Sequence, residues 1–232
     1  MPWHRPAVAV FLVAGALAYS TWPAEAFLAT GLSPRTAYVS ELAAEDQPYG
    51  SFFRAADFVA GLLVVAGAAV ALARLPLRSR WATAGWAGLA LFGAATAADS
   101  RLPLSCAATA DAGCAAREQA GTVPWTHSAH AFSSSLAVTG ALVGMVLLTV
   151  AARRHAGTRP PLARAGPLLV VLELAATGWT LASVAAFEAG RGTWGLGVGQ
   201  RLQVLVIAVW LVMLARSASR AAKAPSSEAG QE

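Results

Sequence analysis

Two cysteines and two histidines lie close together in one segment of the chain. Cys106 and Cys114 are followed by His127 and His130. These residue types can form a disulfide, or they can bind zinc through thiolate sulfur and imidazole nitrogen. Their spacing is C-x7-C-x12-H-x2-H, with a wider first interval and a narrower last interval than common zinc sites have. Whether the segment forms a disulfide or a zinc site depends on whether it lies in an oxidising or a reducing compartment.

The composition indicates an integral membrane protein. Of 232 residues, 56% are hydrophobic and only 12% are charged, whereas about a quarter of the residues in soluble domains are charged. The net charge is +5, but the basic residues are scattered between apolar segments and form no stripe with exposed aromatics. We therefore expect no nucleic-acid binding.

Six apolar segments approach the roughly 17 to 25 residues that a helix needs to cross a bilayer. Only helices satisfy the backbone hydrogen bonds of such segments in lipid, so the sequence predicts an all-α, polytopic transmembrane bundle in one domain, residues 1–217. Several glycines suit close helix packing, although an alanine-rich composition also accounts for them. The predicted spans are about 6–22, 55–73, 81–98, 127–151, 166–187 and 202–217, and the glycines are Gly61, Gly67, Gly85, Gly88, Gly140 and Gly144.

Arginine distribution predicts the orientation, because basic residues near membrane ends favour the cytoplasm. Eleven basic residues lie in the N-terminus, the 74–80 turn, the 152–165 loop and the tail, against six in the other segments. Both termini are thus predicted to be cytoplasmic, with residues 218–232 a disordered tail. An alternative is a cleaved signal peptide ending near the Ala24-Glu25-Ala26 triplet.

This topology places the 99–126 loop outside, in an oxidising compartment. Paired thiols there generally become disulfides, so we predict a Cys106–Cys114 bridge. Zinc bound by Cys106, Cys114, His127 and His130 remains the alternative to the bridge. A separate metal hypothesis takes Asp99, His127 and His130 as the ligands.

Four ionisable side chains reach a similar depth near the outer ends of their predicted spans: Asp57, Asp99, His127 and His130. Charged groups inside spans are costly and normally face a bundle interior or a water-filled cavity. They can form a ligand, metal or catalytic pocket. The simpler alternative is a hydrogen-bonded cap in which Arg54 and Asp57 form an intrahelical pair.

Other polar residues extend this outer cluster. The 30–50 segment is too polar to cross a membrane, so we expect it to form a structured cap with a short helix near Ser40. Gln200 and Arg201 lie at the start of the last span. Glu173 is an isolated buried acid in the fifth span, suited either to a hydrogen bond with a neighbouring helix or to a proton or cation path. The G-x-G-x-x-G run from Gly190 is not a dinucleotide motif, because no strand precedes it.

The order of these features resembles the DUF998 family of bacterial and archaeal multi-pass membrane proteins, whose function is unknown. The similarity covers about residues 5–217 and implies a six-helix protein of a bacterial plasma membrane. The residues that carry it are Ser40-Glu41-Leu42, Pro48, Phe53-Arg54, Asp57, Asp99, Pro103, Cys106, Cys114, His127 and Gln200-Arg201.

A weaker likeness is to metal-dependent membrane hydrolases of the alkaline ceramidase type, whose Ser, Asp and His residues converge near one membrane face. The matching residue types here are Ser40, Asp57, Asp99, His127 and His130. Members of that family have seven spans and an H-x-x-x-H motif in the last span. This chain has six predicted spans and no such motif in the last one.

We therefore expect an outward-facing polar pocket that binds a lipid headgroup or a small solute. Its predicted lining is Glu41, Arg54, Asp57, Asp99, His127, His130, Gln200 and Arg201. The enzyme alternative is a zinc hydrolase at the outer leaflet, in which Asp57 or Ser40 assists the attacking water. A transporter with Glu173 as its coupling residue is the third possibility.

Overall fold

The computed structural model of the chain describes residues 3–77, 79–154 and 160–220. These residues form seven α-helices and two short 3₁₀ helices, and no strand occurs among them. The 3₁₀ helices are Trp22–Ala26 and Ser40–Ala43, and the α-helices are α1 His4–Tyr19, α2 Gly50–Arg74, α3 Arg80–Asp99, α4 Ala112–Gln119, α5 Trp125–Arg154, α6 Pro161–Glu188 and α7 Leu196–Arg220. The all-α prediction is confirmed.

Each predicted span lies largely on one long helix, and most of the helices extend beyond the predicted bounds. The exception is α1, which ends at Tyr19 rather than at residue 22, because Pro23 has no N–H to continue the hydrogen-bond ladder. The predicted short helix near Ser40 is the 3₁₀ turn Ser40–Ala43. Helix α7 continues to Arg220, so residues 218–220 of the predicted tail are helical, while residues 221–232 lie outside the described part.

Five segments are long and apolar enough to cross a membrane by length and composition: His4–Ala26, Gly50–Arg74, Trp125–Arg154, Pro161–Glu188 and Leu196–Ser219. The protein is thus a multi-pass membrane protein. The remaining long helix, α3, has 20 residues, but its glycine, threonine and tryptophan content lowers its hydropathy. Six as the number of spans, and cytoplasmic termini, stay predictions.

The six long helices form a closed ring. Going around it, α1 packs on α2, α2 on α3, α3 on α5, α5 on α6, α6 on α7, and α7 again on α1. Helix α4, both 3₁₀ helices and the longer connections lie at one end, which we call the capped end. The other end carries Arg5, Arg74, Arg80, Arg153, Arg154, Arg164 and Arg216, whereas Arg78, Arg159 and Lys223 are outside the described residues.

Glycines let the helices of the ring approach closely, as the sequence predicted. A Cβ atom added to Gly61 on α2 would lie 2.5 Å from the carbonyl oxygen of Gly93 on α3, and one added to Gly93 would lie 2.7 Å from the carbonyl oxygen of Gly61. On the next interface, a Cβ at Gly140 of α5 would lie 2.5 Å from the backbone nitrogen of Phe92. Side chains at these positions would therefore push the helices apart.

The interior of the ring is apolar toward the arginine-rich end. Leu12, Phe92, Met145, Trp210 and Leu211 are nearly or fully buried in one cluster there. Most buried polar side chains lie nearer the capped end, although Thr149 accepts a hydrogen bond from the Trp210 indole within this cluster.

Candidate functional site: a polar cavity beneath the cap

A cavity of about 100 Å³ lies inside the ring at the capped end. One water needs roughly 10–15 Å³ by this kind of measure, so the cavity has room for several waters or for a small polar group. Side chains from five of the long helices and from the 38–43 segment surround it. They are Tyr19, Val39, Ser40, Asp57, Thr96, Asp99, Ser134, Ala137, Val138, Gln200, Gln203 and Val204.

Asp99 is the carboxylate with the most partners. Its Oδ1 lies 3.2 Å from Nδ1 of His130, and the hydroxyl group of Ser133 donates a hydrogen bond to the same oxygen. The hydroxyl oxygen of Ser134 is 3.1 Å from Oδ1 and 3.2 Å from Oδ2. Asp99 and His130 are therefore in contact in the structure, and the imidazole offsets the negative charge when it is protonated.

Asp57, unlike Asp99, forms no hydrogen bond or ion pair with any residue that the structure describes. It lines the cavity from α2 and is only partly buried. The alternative of an intrahelical Arg54–Asp57 pair is wrong. The guanidinium of Arg54 turns instead to the cap, where it donates to the carbonyl oxygens of Ala43 at 2.6 Å and Ala44 at 3.3 Å.

Glu41 holds the cap together and does not line the cavity. Its carboxylate accepts hydrogen bonds from the backbone N–H of Tyr38 at 2.9 Å, from the backbone N–H of Thr109 at 2.8 Å and from the Thr109 hydroxyl. The side chain is fully buried, and this burial raises the pKa of Glu41 despite the three donors. The residue thus fastens the first long connection to the disulfide loop.

Gln200 and Arg201 also secure the cap, although only Gln200 lines the cavity. The side-chain oxygen of Gln200 accepts from the backbone N–H of Val39 at 2.5 Å. Arg201 forms a buried, bidentate ion pair with Glu25, in which Nε is 2.7 Å from Oε1 and Nη2 is 2.5 Å from Oε2. It also donates a hydrogen bond of 2.9 Å to the carbonyl oxygen of Ala37. Sequence analysis missed Glu25, because its position in an A-x-A triplet suggested only a cleavage signal.

His127 lies apart from the cavity. Its Nδ1 is 2.9 Å from the hydroxyl of Ser105, and its Nε2 is 3.6 Å from Glu118. The hypothetical zinc ligands Asp99, His127 and His130 are therefore not assembled around one point, because the two imidazoles turn to different neighbours. Within the described ranges, no group of three or more His, Cys, Asp or Glu could hold a metal ion.

The predicted disulfide between Cys106 and Cys114 is present. Both cysteines are buried, and Phe187 from the end of α6 packs against them. Helix α4, which the sequence analysis did not predict, begins at Ala112 with the Asp111 side chain accepting from the backbone N–H of Gly113. The bridge therefore holds α4 against the segment that follows Asp99.

Glu173 is linked to the cavity through two side chains. It is fully buried, and its Oε1 accepts a hydrogen bond of 3.4 Å from the Thr177 hydroxyl. That hydroxyl oxygen accepts a hydrogen bond of 2.9 Å from Gln203, which lines the cavity. The other oxygen of Glu173 has no hydrogen-bond partner among the residues that the structure describes.

Of the residues predicted to form the pocket or assist catalysis, the structure brings together Ser40, Asp57, Asp99 and Gln200, with His130 behind Asp99. Sequence analysis missed Tyr19, Thr96 and Gln203. A signal for Gln203 was present, since it follows Gln200 by one helical turn and shares its face. Tyr19 and Thr96 gave no such signal, because single hydroxyls are common in apolar helices.

A family model described as "Protein of unknown function (DUF998)" matches residues 12–217, which is most of the chain. Comparison with curated proteins and with solved structures gave no match.

Proposed function

Because the chain belongs to the DUF998 family, whose description assigns no function, we propose a function from the cavity: it binds a small positively charged group, such as the ammonium group of a solute or of a lipid headgroup. The proposal rests on the Asp57 carboxylate, which lines the cavity without a partner among the described residues. Asp57 is partly buried, and a carboxylate that loses part of its hydration is stabilised by a nearby opposite charge or by hydrogen-bond donors. An ammonium group supplies both.

The charges around the cavity support a cationic occupant. Neither arginine nor lysine lines it, and its formal charges are Asp57 and Asp99. His130 already contacts Asp99, which leaves Asp57 for the ligand. The surrounding hydroxyl and amide oxygens of Ser40 and Gln203 can accept the remaining N–H groups of an ammonium ion.

A binding experiment on the purified full-length protein tests this function. Ethanolamine is the probe, and acetate serves as an anionic control. We expect Asp57→Asn to weaken ethanolamine binding by about tenfold or more, since a hydrogen bond to a charged group is worth roughly 1.5–3 kcal/mol. The matched control is Asp46→Asn, which makes the same change at an exposed residue of the cap that contacts only Gln47.

Equal ethanolamine binding by the wild type and Asp57→Asn would refute the proposal, as would preferred binding of acetate. The source of the group is found by reconstitution in lipid nanodiscs. If phosphatidylethanolamine competes with free ethanolamine and phosphatidylglycerol does not, the occupant is a headgroup. If neither lipid competes, it is a free solute.

The link to Glu173 favours transport as a second candidate function. In this mechanism Glu173 holds a proton while the cavity is empty and releases it when a cation enters, because the positive charge stabilises the ionised carboxylate. Asp57, Asp99 and Tyr19 are the other titratable groups that face this region. Cation affinity should then rise with pH in the wild type, and Glu173→Gln should remove the part of this dependence that is due to proton release. An unchanged pH dependence in the variant would exclude Glu173 as the coupling residue.

A further inference from the structure

A second concave site lies on the rim of the capped end, between α4 and the last turn of α6. This rim cleft has a volume of about 290 Å³. It is separate from the cavity, although the two are adjacent along the chain: Tyr38 lines the rim cleft, whereas Val39 and Ser40 line the cavity. The residues around it are Tyr38, Ala115, Glu118, Gln119, Phe187 and Glu188.

Two aromatic rings form walls of the rim cleft. The rings of Tyr38 and Phe187 are nearly perpendicular, at 84°, with their centroids 6.5 Å apart. Ring faces carry partial negative charge and attract cations that approach within about 6 Å. Both residues line the cleft, so both offer apolar surface to a small group that enters it.

The only charged side chains of the rim cleft are two carboxylates, Glu118 and Glu188. In the described chain, no arginine or lysine forms an ion pair with either one. The nearest arginines in sequence point elsewhere, since Arg117 contacts Asp111 and Cys106 and Arg191 lies over the ring of Trp194. The contact of Glu118 with His127, at 3.6 Å, is the remaining ion-pair contact, and it carries opposite charge only when the imidazole is protonated.

Glu188 occupies an unfavourable position for a carboxylate. It is the last residue of α6, where the partial negative charge of the helix end disfavours an anion. Within the described residues no hydrogen bond or ion pair compensates it. These carboxylates also act on Tyr38. Burial is the largest cause of the raised pKa of the Tyr38 hydroxyl group, and the negative charges of Glu118, Glu41 and Glu188 raise it further.

We propose that the rim cleft binds a quaternary ammonium group, with its methyl groups against Tyr38 and Phe187 and its charge facing Glu118 and Glu188. Aromatic rings combined with carboxylates suit this chemistry, because a quaternary ammonium ion has no N–H to donate and is held by charge and by contact with ring faces. A free solute and a phospholipid headgroup can both supply the group. The inference does not depend on the ligand of the cavity.

The test is choline binding to the purified full-length protein, measured by ligand-observed NMR. The uncharged control is 3,3-dimethylbutan-1-ol, which has the shape of choline with carbon in place of the charged nitrogen. We expect choline to bind and the alcohol to bind at least about tenfold more weakly. Equal binding of the two compounds would overturn the proposal, because the cleft would then recognise only apolar shape.

Two variants locate the site. Phe187→Leu keeps an apolar side chain packed against the disulfide but removes the aromatic face, and it should weaken choline binding by about tenfold. Glu188→Gln changes an exposed residue that supports no described contact, and it should weaken binding several-fold. The matched aromatic control is Phe27→Leu, at a cap residue that is 91% exposed and lies outside the cleft.

The proposal fails if Phe187→Leu and Glu188→Gln both bind choline like the wild type. It also fails if Asp57→Asn, in the cavity, abolishes choline binding while these two variants do not. Nanodiscs distinguish the two sources of the group. Weaker binding of free choline in phosphatidylcholine than in phosphatidylethanolamine, which has the same net charge but no quaternary ammonium group, identifies the headgroup as the occupant, and equal binding in both identifies a free solute.

Discussion

Replacing Arg201 with alanine should destabilise the protein, because the residue holds the cap rather than a ligand. Its side chain is 7% exposed and that of Glu25 is 5% exposed. Removing one partner of such a buried pair typically costs about 3–5 kcal/mol, since the other charge stays buried without compensation. At about 2–4 °C per kcal/mol for a chain of this size, Arg201→Ala should lower Tm by about 6–20 °C.

Thermal unfolding in detergent, followed by the intrinsic fluorescence of the eight tryptophans, measures this effect. The control is Arg191→Ala, which removes an exposed arginine 6.0 Å from the Trp194 ring centroid and should cost less than about 1 kcal/mol. The double variant Glu25→Gln with Arg201→Met should be more stable than Arg201→Ala, because it leaves no unpaired charge. If Arg201→Ala unfolds within about 2 °C of Arg191→Ala, the ion pair does not secure the cap.

Three further predictions follow from the packing, the disulfide and the cap. Gly61→Ala should lower Tm, because the added methyl group would separate α2 from α3. The control is Gly178→Ala, whose Cβ would meet nothing within 4 Å and which should leave Tm unchanged or raise it slightly. Equal shifts of Tm in the two variants would refute the close-packing explanation. Reducing the Cys106–Cys114 bridge should cost about 2.5 kcal/mol on the loop-entropy model, and a reductant should not shift the Tm of Cys106→Ser. The folded protein binds a proton at Glu41 more tightly than the unfolded chain does, because burial raises the pKa of Glu41 above its usual 4.5. The stability that this proton contributes is therefore lost as the pH rises above 4.5, where the carboxyl group of the unfolded chain ionises first. Glu41→Gln should show a flatter Tm against pH, and an unchanged profile would contradict the assignment.

The membrane class, the helices and the disulfide could be predicted because each depends on local or compositional signals. Long apolar segments in lipid have to be helical, and the predicted extracellular placement of Cys106 and Cys114 favoured oxidation. Helix ends were less accurate, as at α1, where a proline and a 3₁₀ turn follow. Helix α4 escaped prediction because its eight residues carry no apolar face of useful length.

The partners of the polar residues could not be predicted, because equal depth along different helices does not specify which side chains face each other. His127 and His130 share a helix face, yet one contacts Ser105 and the other Asp99. Arg54 lies three residues before Asp57 but reaches backbone carbonyls of the cap. Glu25 and Arg201 are distant in sequence and form a buried ion pair at the capped end.

Composition and periodicity by themselves determined that this chain is a helical membrane protein with ionisable groups near one end of its spans. Hydrophobic length and charge are properties of each segment, and they require no knowledge of its neighbours. Only the tertiary structure decided that Asp57 lines a cavity without a partner among the described residues, while Asp99, Glu41 and Arg201 are engaged. The physical reason is that a buried charge is satisfied or left free by side chains from other helices, and the order of helices around the ring sets which ones those are.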